Sequence, residues 1–167
     1  MNRFSLVLAA AGALGLLSAQ AMAELSSADK TFMEKAAQDG LAEVQLGQLA
    51  EQKAASPKVK QFAERMVTDH SKANQDLQQV AKQLNVTLPA QPDAEDLATA
   101  QKLRTESGAK FDEAYMKDMV SDHRQDIDEF KKEAQSGQDP AVKNFAQKYV
   151  PVLEQHLTLA EAAEPKK

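Results

Sequence analysis

Met66-Val67-Thr68-Asp69-His70 returns almost unchanged as Met119-Val120-Ser121-Asp122-His123, and the reading of these two pentads decides what kind of core the chain builds. The chain has three histidines, two of them in the pentads and the third at His156. Outward from His70, apolar residues recur at Val59, Phe62, Ala63, Met66, Ala73, Leu77, Val80, Ala81 and Leu84. That spacing of three and four is one face of an α-helix, and His70 lies on it. Around His123 the same face is written by Phe111, Tyr115, Met119, Ile127, Phe130 and Ala134. Around His156 it is written by Val142, Phe145, Ala146, Tyr149, Val152 or Leu153, Ala160 and Ala163. Each histidine is therefore expected inside the core, on a different helix.

The boundaries of these helices are marked. Ser56-Pro57 and Asp139-Pro140 each place an N-cap residue before a proline at the first helical position, where its missing N–H does no harm. The third long helix is expected to start near Ser107-Gly108 and to stop at Gly137. Ahead of them, residues 26–55 contain no proline. Ser26 and Asp29 there suggest a capping box, and Met33, Ala36, Ala37, Gly40, Val44, Gly47 and Ala50 form a stripe of small residues. Glu43 falls within that stripe, and Gly40 and Gly47 make room for a close neighbour, since each glycine otherwise costs about 1 kcal/mol in a helix. Asp126, Asp128 and Glu129 are assigned to the more exposed side of the third helix. Pro151 removes one backbone hydrogen bond from the fourth helix and is expected to bend it.

Between the second and third long helices, Pro89 and Pro92 forbid a continuous helix, while residues 93–105 suit a short one with Leu97 and Leu103 as apolar contacts. A connection this long is unusual between adjacent helices and is able to run the length of the domain, which would leave its flanking helices parallel. The reading is an all-α four-helix bundle with a long connection between helices 2 and 3, occupying residues 24–164 as one domain, with 165–167 as a frayed tail.

Residues 1–23 read as a cleavable signal peptide: Arg3, an uncharged apolar run, then Ala21-Met22-Ala23. Cleavage there predicts a periplasmic protein with no transmembrane segment left. It removes one basic and no acidic residue, taking the formal charge from −5 to −6. A mildly acidic chain offers no basic patch for nucleic acid, and with no cysteine the fold rests on its apolar core rather than on disulfides. No Gly-rich phosphate loop, Gly-x-Ser-x-Gly elbow or cysteine nucleophile is present, so no catalytic residue is assigned. Homo-oligomerisation is left open.

If the first two helices and the last two form antiparallel hairpins, Glu43 stands level with residues 68–70 and His156 roughly level with Met119, within about one 5.4 Å turn. One carboxylate and three imidazoles then share a layer or two adjacent ones. Two readings stay open. In the first, His70, His123 and His156 bind one zinc, copper or iron ion with Glu43 as fourth ligand or as an acceptor behind a ring, while Asp69 and Asp122 support the imidazoles. Met66 and Met119, each one turn before a histidine, would be soft ligands suited to Cu(I). In the second, the polar layer only fixes register in a non-enzymatic envelope protein of stress or partner-binding type. Haem held between a Met and a His ranks behind both, with no Cys-x-x-Cys-His for covalent attachment.

Gly40-Leu41-Ala42-Glu43-Val44, Val59-Lys60-Gln61-Phe62-Ala63, the two pentads, Ser107-Gly108 with Phe111-Asp112 and Tyr115, and Gln155-His156-Leu157 together resemble domain-of-unknown-function family 4142, a group of exported bacterial proteins placed among ferritin-like bundles. The resemblance covers nearly the whole chain after residue 23 and implies a ferritin-like four-helix bundle in the envelope, with no reaction attached. Ferritin-like di-iron sites need Glu-x-x-His on two helices. Val67, Val120 and Leu153 stand three residues before the three histidines, so ferroxidase chemistry does not carry over.

Overall fold

The structure, a computed structural model, describes residues 25–164; the leader assigned to 1–23 and the tail 165–167 lie outside the described residues. It is all-α, with α1 Ser27–Lys53, α2 Pro57–Gln83, α3 Ala94–Thr105, α4 Gly108–Ser136 and α5 Pro140–Ala163. The four long helices form a ring: α1 packs on α2 and α4, and α5 packs on α4 and α2. Short turns join α1 to α2 and α4 to α5 as antiparallel hairpins. The connection carrying α3 returns along the full length of the bundle, so α2 and α4 run parallel across its diagonal. Along the way α3 covers the edge between α1 and α4.

Caps and close contacts explain most of this from the sequence. The Ser26 side chain accepts from the Asp29 N–H, and Asp93 and Asp139 cap α3 and α5 through two backbone N–H groups each. A side chain at Gly40 would collide with the Asn74 amide, and one at Gly47 would come within 2.8 Å of Val67 and 3.1 Å of the Ala63 carbonyl. These two glycines let α1 and α2 approach closely, which offsets their poor helix propensity.

Several expectations need correction. Ser56 occupies the N-cap position but its side chain makes no cap hydrogen bond. The Asp29 carboxylate does not return to Ser26 to complete a capping box; it crosses to the far hairpin and accepts from the N–H groups of Gln138 and Asp139 at 3.1 and 2.8 Å. Asp112, at the start of α4, does the same for the first hairpin, accepting from Ala55 and Ser56 at 3.0 and 2.8 Å. Each turn is thus held by a buried carboxylate from the other half of the molecule. Leu103 is buried as expected, but Leu97 is 44 % exposed, because α3 turns it away from the bundle. α5 continues through Pro151 from Pro140 to Ala163.

The paired crossings expose a repeat longer than the pentads. Asp29 and Asp112, Ala55 and Gln138, Pro57 and Pro140, Phe62 and Phe145 are each 83 positions apart, and Pro-x-Val-Lys-x-Phe-Ala opens both α2 and α5. The structural duplication is therefore of hairpin on hairpin, α1–α2 on α4–α5. The pentads, 53 positions apart, lie on α2 and α4, which are not counterparts.

Two apolar clusters fill the bundle. One, with Phe62, Met66, Phe111, Tyr115 and Met119, lies toward the α1–α2 turn. The other, with Phe32, Leu77, Phe130, Phe145 and Tyr149, lies toward the α4–α5 turn. The three histidines sit where the two meet.

Candidate metal centre

Helix periodicity places His70 on α2, His123 on α4 and His156 on α5, all buried. The three rings converge: their centroids are 5.3–5.7 Å apart, and one nitrogen from each lies within 4.8 Å of the other two. Two rings are fixed from behind. Nδ1 of His123 is 2.9 Å from the Met119 carbonyl oxygen, so it carries the proton and donates, leaving Nε2 with a lone pair. Nε2 of His156 donates to the Asp69 carboxylate at 2.9 Å, which is itself paired with Arg65, leaving Nδ1 unprotonated. These two bare nitrogens face each other at 3.3 Å. Two nitrogens on one tetrahedral zinc at bonds of 2.0–2.1 Å are about 3.4 Å apart. His70 adds a buried Nε2 with no hydrogen-bond partner among the described residues.

Protonation runs the same way. Burial, reinforced by the other two rings, holds His70 well below its usual range. Burial and His156 bring His123 down to about 3. Burial also lowers His156, against the opposing pull of Asp69. Neutral imidazoles with orienting partners behind them are the form in which histidine binds a metal. A cavity of about 20 Å³, room for one water, borders His70 and His156.

The remaining candidates are placed differently. Glu43 is buried, but its Oε1 approaches His123 at 3.6 Å on the Nδ1 side, away from the convergent nitrogens. Asp122 lines a separate acidic cavity between α1, α3 and α4. Met66 and Met119 are fully buried in the apolar cluster, where Met119 contributes its carbonyl to His123.

That acidic cavity, about 190 Å³, is the feature missed from the sequence. It is lined by eight carboxylates and by Lys35, which pairs with Asp39 at 3.0 Å. Asp126, read as exposed, is 6 % exposed and faces it. The signal was present: Asp118, Asp122 and Asp126 fall one turn apart, as do Asp39 and Glu43, an arrangement that is unfavourable on a helix unless something offsets it. Burial and neighbouring charge push Asp96 up to about 7, Asp118 to about 6 and Asp122 to about 7. Asp96 is faced by Asp93 at the N-cap of its own helix, Asp39 and Lys35 on α1, and Asp118 and Asp122 on α4. Its raised folded value stabilises fully below the unfolded value near 3.8, and that contribution is lost as pH rises through about 7. Asp96→Asn is therefore expected to raise the melting temperature at pH 8 by about 2–4 °C, with the gain shrinking as pH falls toward about 4. A gain that did not change with pH would show that Asp96 is not held protonated.

Among the described residues no helix is long and apolar enough to cross a membrane. No curated protein matches the chain. Among solved structures, the chain is similar in fold to a protein of Streptomyces coelicolor described as secreted and as DUF305, at 15 % identity and a TM-score of 0.69, covering 84 % of this chain and 96 % of that one. The family model described as Domain of unknown function (DUF4142) matches residues 15–163, and the chain belongs to that family.

Proposed function

We propose that this is an exported protein that holds one transition-metal ion between His70, His123 and His156. The observation that carries the reading is the pair of unprotonated nitrogens of His123 and His156 facing each other at 3.3 Å beside the partnerless Nε2 of His70. In an unfilled core, two lone pairs so oriented repel and a third nitrogen goes unsatisfied; one cation answers all three. The closure needed is small, since ligand nitrogens already within 4.8 Å must approach to about 3.4 Å. All-nitrogen ligation suits zinc, copper or iron, and one water in the adjoining cavity supplies a fourth ligand. Asp69 and the Met119 carbonyl orient two of the rings. Glu43 lies on the Nδ1 side of His123, 3.6 Å away, and is not one of the ligands. Export is supported by the apolar leader before Ala23 and by the secreted description of the structural neighbour.

Mature protein treated with chelator is expected to bind about one Zn²⁺ or Cu⁺ per chain, with a metal-dependent rise in melting temperature. His123→Ala and His156→Ala should each abolish that rise. An unchanged melting temperature with zinc, copper and iron alike would overturn the reading and leave a polar layer that only sets helix register.

A further inference from the structure

We propose that the cavity between α1, α3 and α4 is a second, separate cation site, for a hard divalent ion of the Ca²⁺ class, held by carboxylates drawn from Glu43, Asp96, Asp118, Asp122 and Asp126. Eight carboxylates dominate its lining, in contrast to the nitrogen centre beside it, and carboxylates select hard cations. An acidic cluster alone would be no argument. The independent observation is Glu43: it is 3 % exposed, lines the cavity, and neither carboxylate oxygen has a hydrogen-bond partner among the described residues. The nearby His123 does not satisfy it, because that Nδ1–H is directed at the Met119 carbonyl. Asp96 and Asp118 each add a buried oxygen without a partner among the described residues. Burial, reinforced by Asp126 and Asp122, pushes the Glu43 carboxyl well above its usual range, so without a cation it is held protonated, and a cation in the space it faces is what lets it ionise.

The dimensions favour calcium over magnesium. A cavity of about 190 Å³ has room for several waters, and the carboxylates do not draw together as tightly as the imidazoles do. An ion there takes a few carboxylates directly and keeps part of its water shell. Ca²⁺ accepts six to eight oxygens in irregular geometry, whereas Mg²⁺ demands a near-ideal octahedron. Lys35 does not fill the role, since its ammonium is paired with Asp39 at the cavity wall. α3 supplies Asp96 and covers the cavity, so the long connection has a role beyond linking two hairpins.

The test uses the whole mature chain, chelator-treated, at pH 8 in physiological NaCl. Titration with Ca²⁺ alone, followed by calorimetry and thermal melting, is expected to show one saturable site with Kd on the order of 1 mM or tighter, and weaker binding of Mg²⁺. Glu43→Gln and Asp96→Asn should each weaken Ca²⁺ binding roughly tenfold or more. Both replacements remove buried charge without changing shape, so they are expected to fold, which helical circular dichroism checks. His70→Leu, which takes a ligand from the nitrogen centre, should leave Ca²⁺ binding unchanged, so failure of one site is distinguishable from failure of the other. No saturable Ca²⁺ response in the wild type would overturn the proposal. So would a response equal in wild type, Glu43→Gln and Asp96→Asn, which is ion screening at the surface.

Discussion

Asp112→Ala is expected to lower stability by about 3 kcal/mol, or about 6–12 °C in melting temperature for a chain of this size. The carboxylate is 4 % exposed and accepts two hydrogen bonds, from Ala55 and Ser56, on the turn between α1 and α2. Bonds to a charged acceptor are worth about 1.5–3 kcal/mol each, and truncation leaves two N–H groups of a tight turn without their partner. Asp112→Asn keeps one acceptor oxygen and should fall between the two. Thermal melts of the three chains settle the order, and an alanine variant that melts within about 1 °C of wild type would show that water replaces the carboxylate without cost. Asp29 is the counterpart at the other end. Burial there opposes ionisation, but bonds from the backbone N–H groups of Gln138 and Asp139 outweigh it and hold the carboxyl below its usual range. Its contribution is present above the unfolded value near 3.8 and is lost as pH falls through the lower folded value.

His70→Leu is expected to split stability from metal binding. With zinc in hundredfold excess over Kd, the wild type gains about 2.7 kcal/mol, about 5–11 °C, and the variant should lose that gain. Without metal the variant should melt at the wild-type temperature or above it, because a leucine removes a buried nitrogen that has no partner among the described residues. Melting each chain with and without zinc gives four temperatures. If the metal-free variant collapses instead, His70 holds the fold by packing or by a hydrogen bond; if the zinc response persists, His70 is not a ligand.

Much of the fold is legible in residues whose effects are local. Ser56-Pro57, Asp139-Pro140, Ser107-Gly108 and Gly137 mark helix ends by rules of backbone geometry that need no tertiary partner, and all four helix limits fall at them. The apolar stripes orient His70, His123 and His156 inward for the same reason. What escapes the sequence depends on partners far along the chain. Asp29 and Asp112 look like ordinary residues near the start of a helix, and only the docking of two hairpins makes them holders of a distant loop. Apolar periodicity assigns Asp126 to the exposed side because it carries no information about which polar residues a covering helix such as α3 will bury. Leu97 erred in the opposite direction: a short helix has two apolar residues to offer, and its rotation selects Leu103. Glu43 fell on the correct stripe, but the side of His123 from which it approaches is set by the rotation of α4, which spacing alone does not specify.

The parallel diagonal created by the long connection also bears on how the molecule assembles. Contacts within each hairpin are close in sequence and form early, whereas those between hairpins require a loop of some two dozen residues to close first. His70 belongs to the first hairpin, while His123 and His156 belong to the second. The three-nitrogen centre therefore does not exist until the halves have docked. An ion held there is a late fastener: it slows the parting of the two hairpins and leaves the speed at which each one winds up nearly untouched.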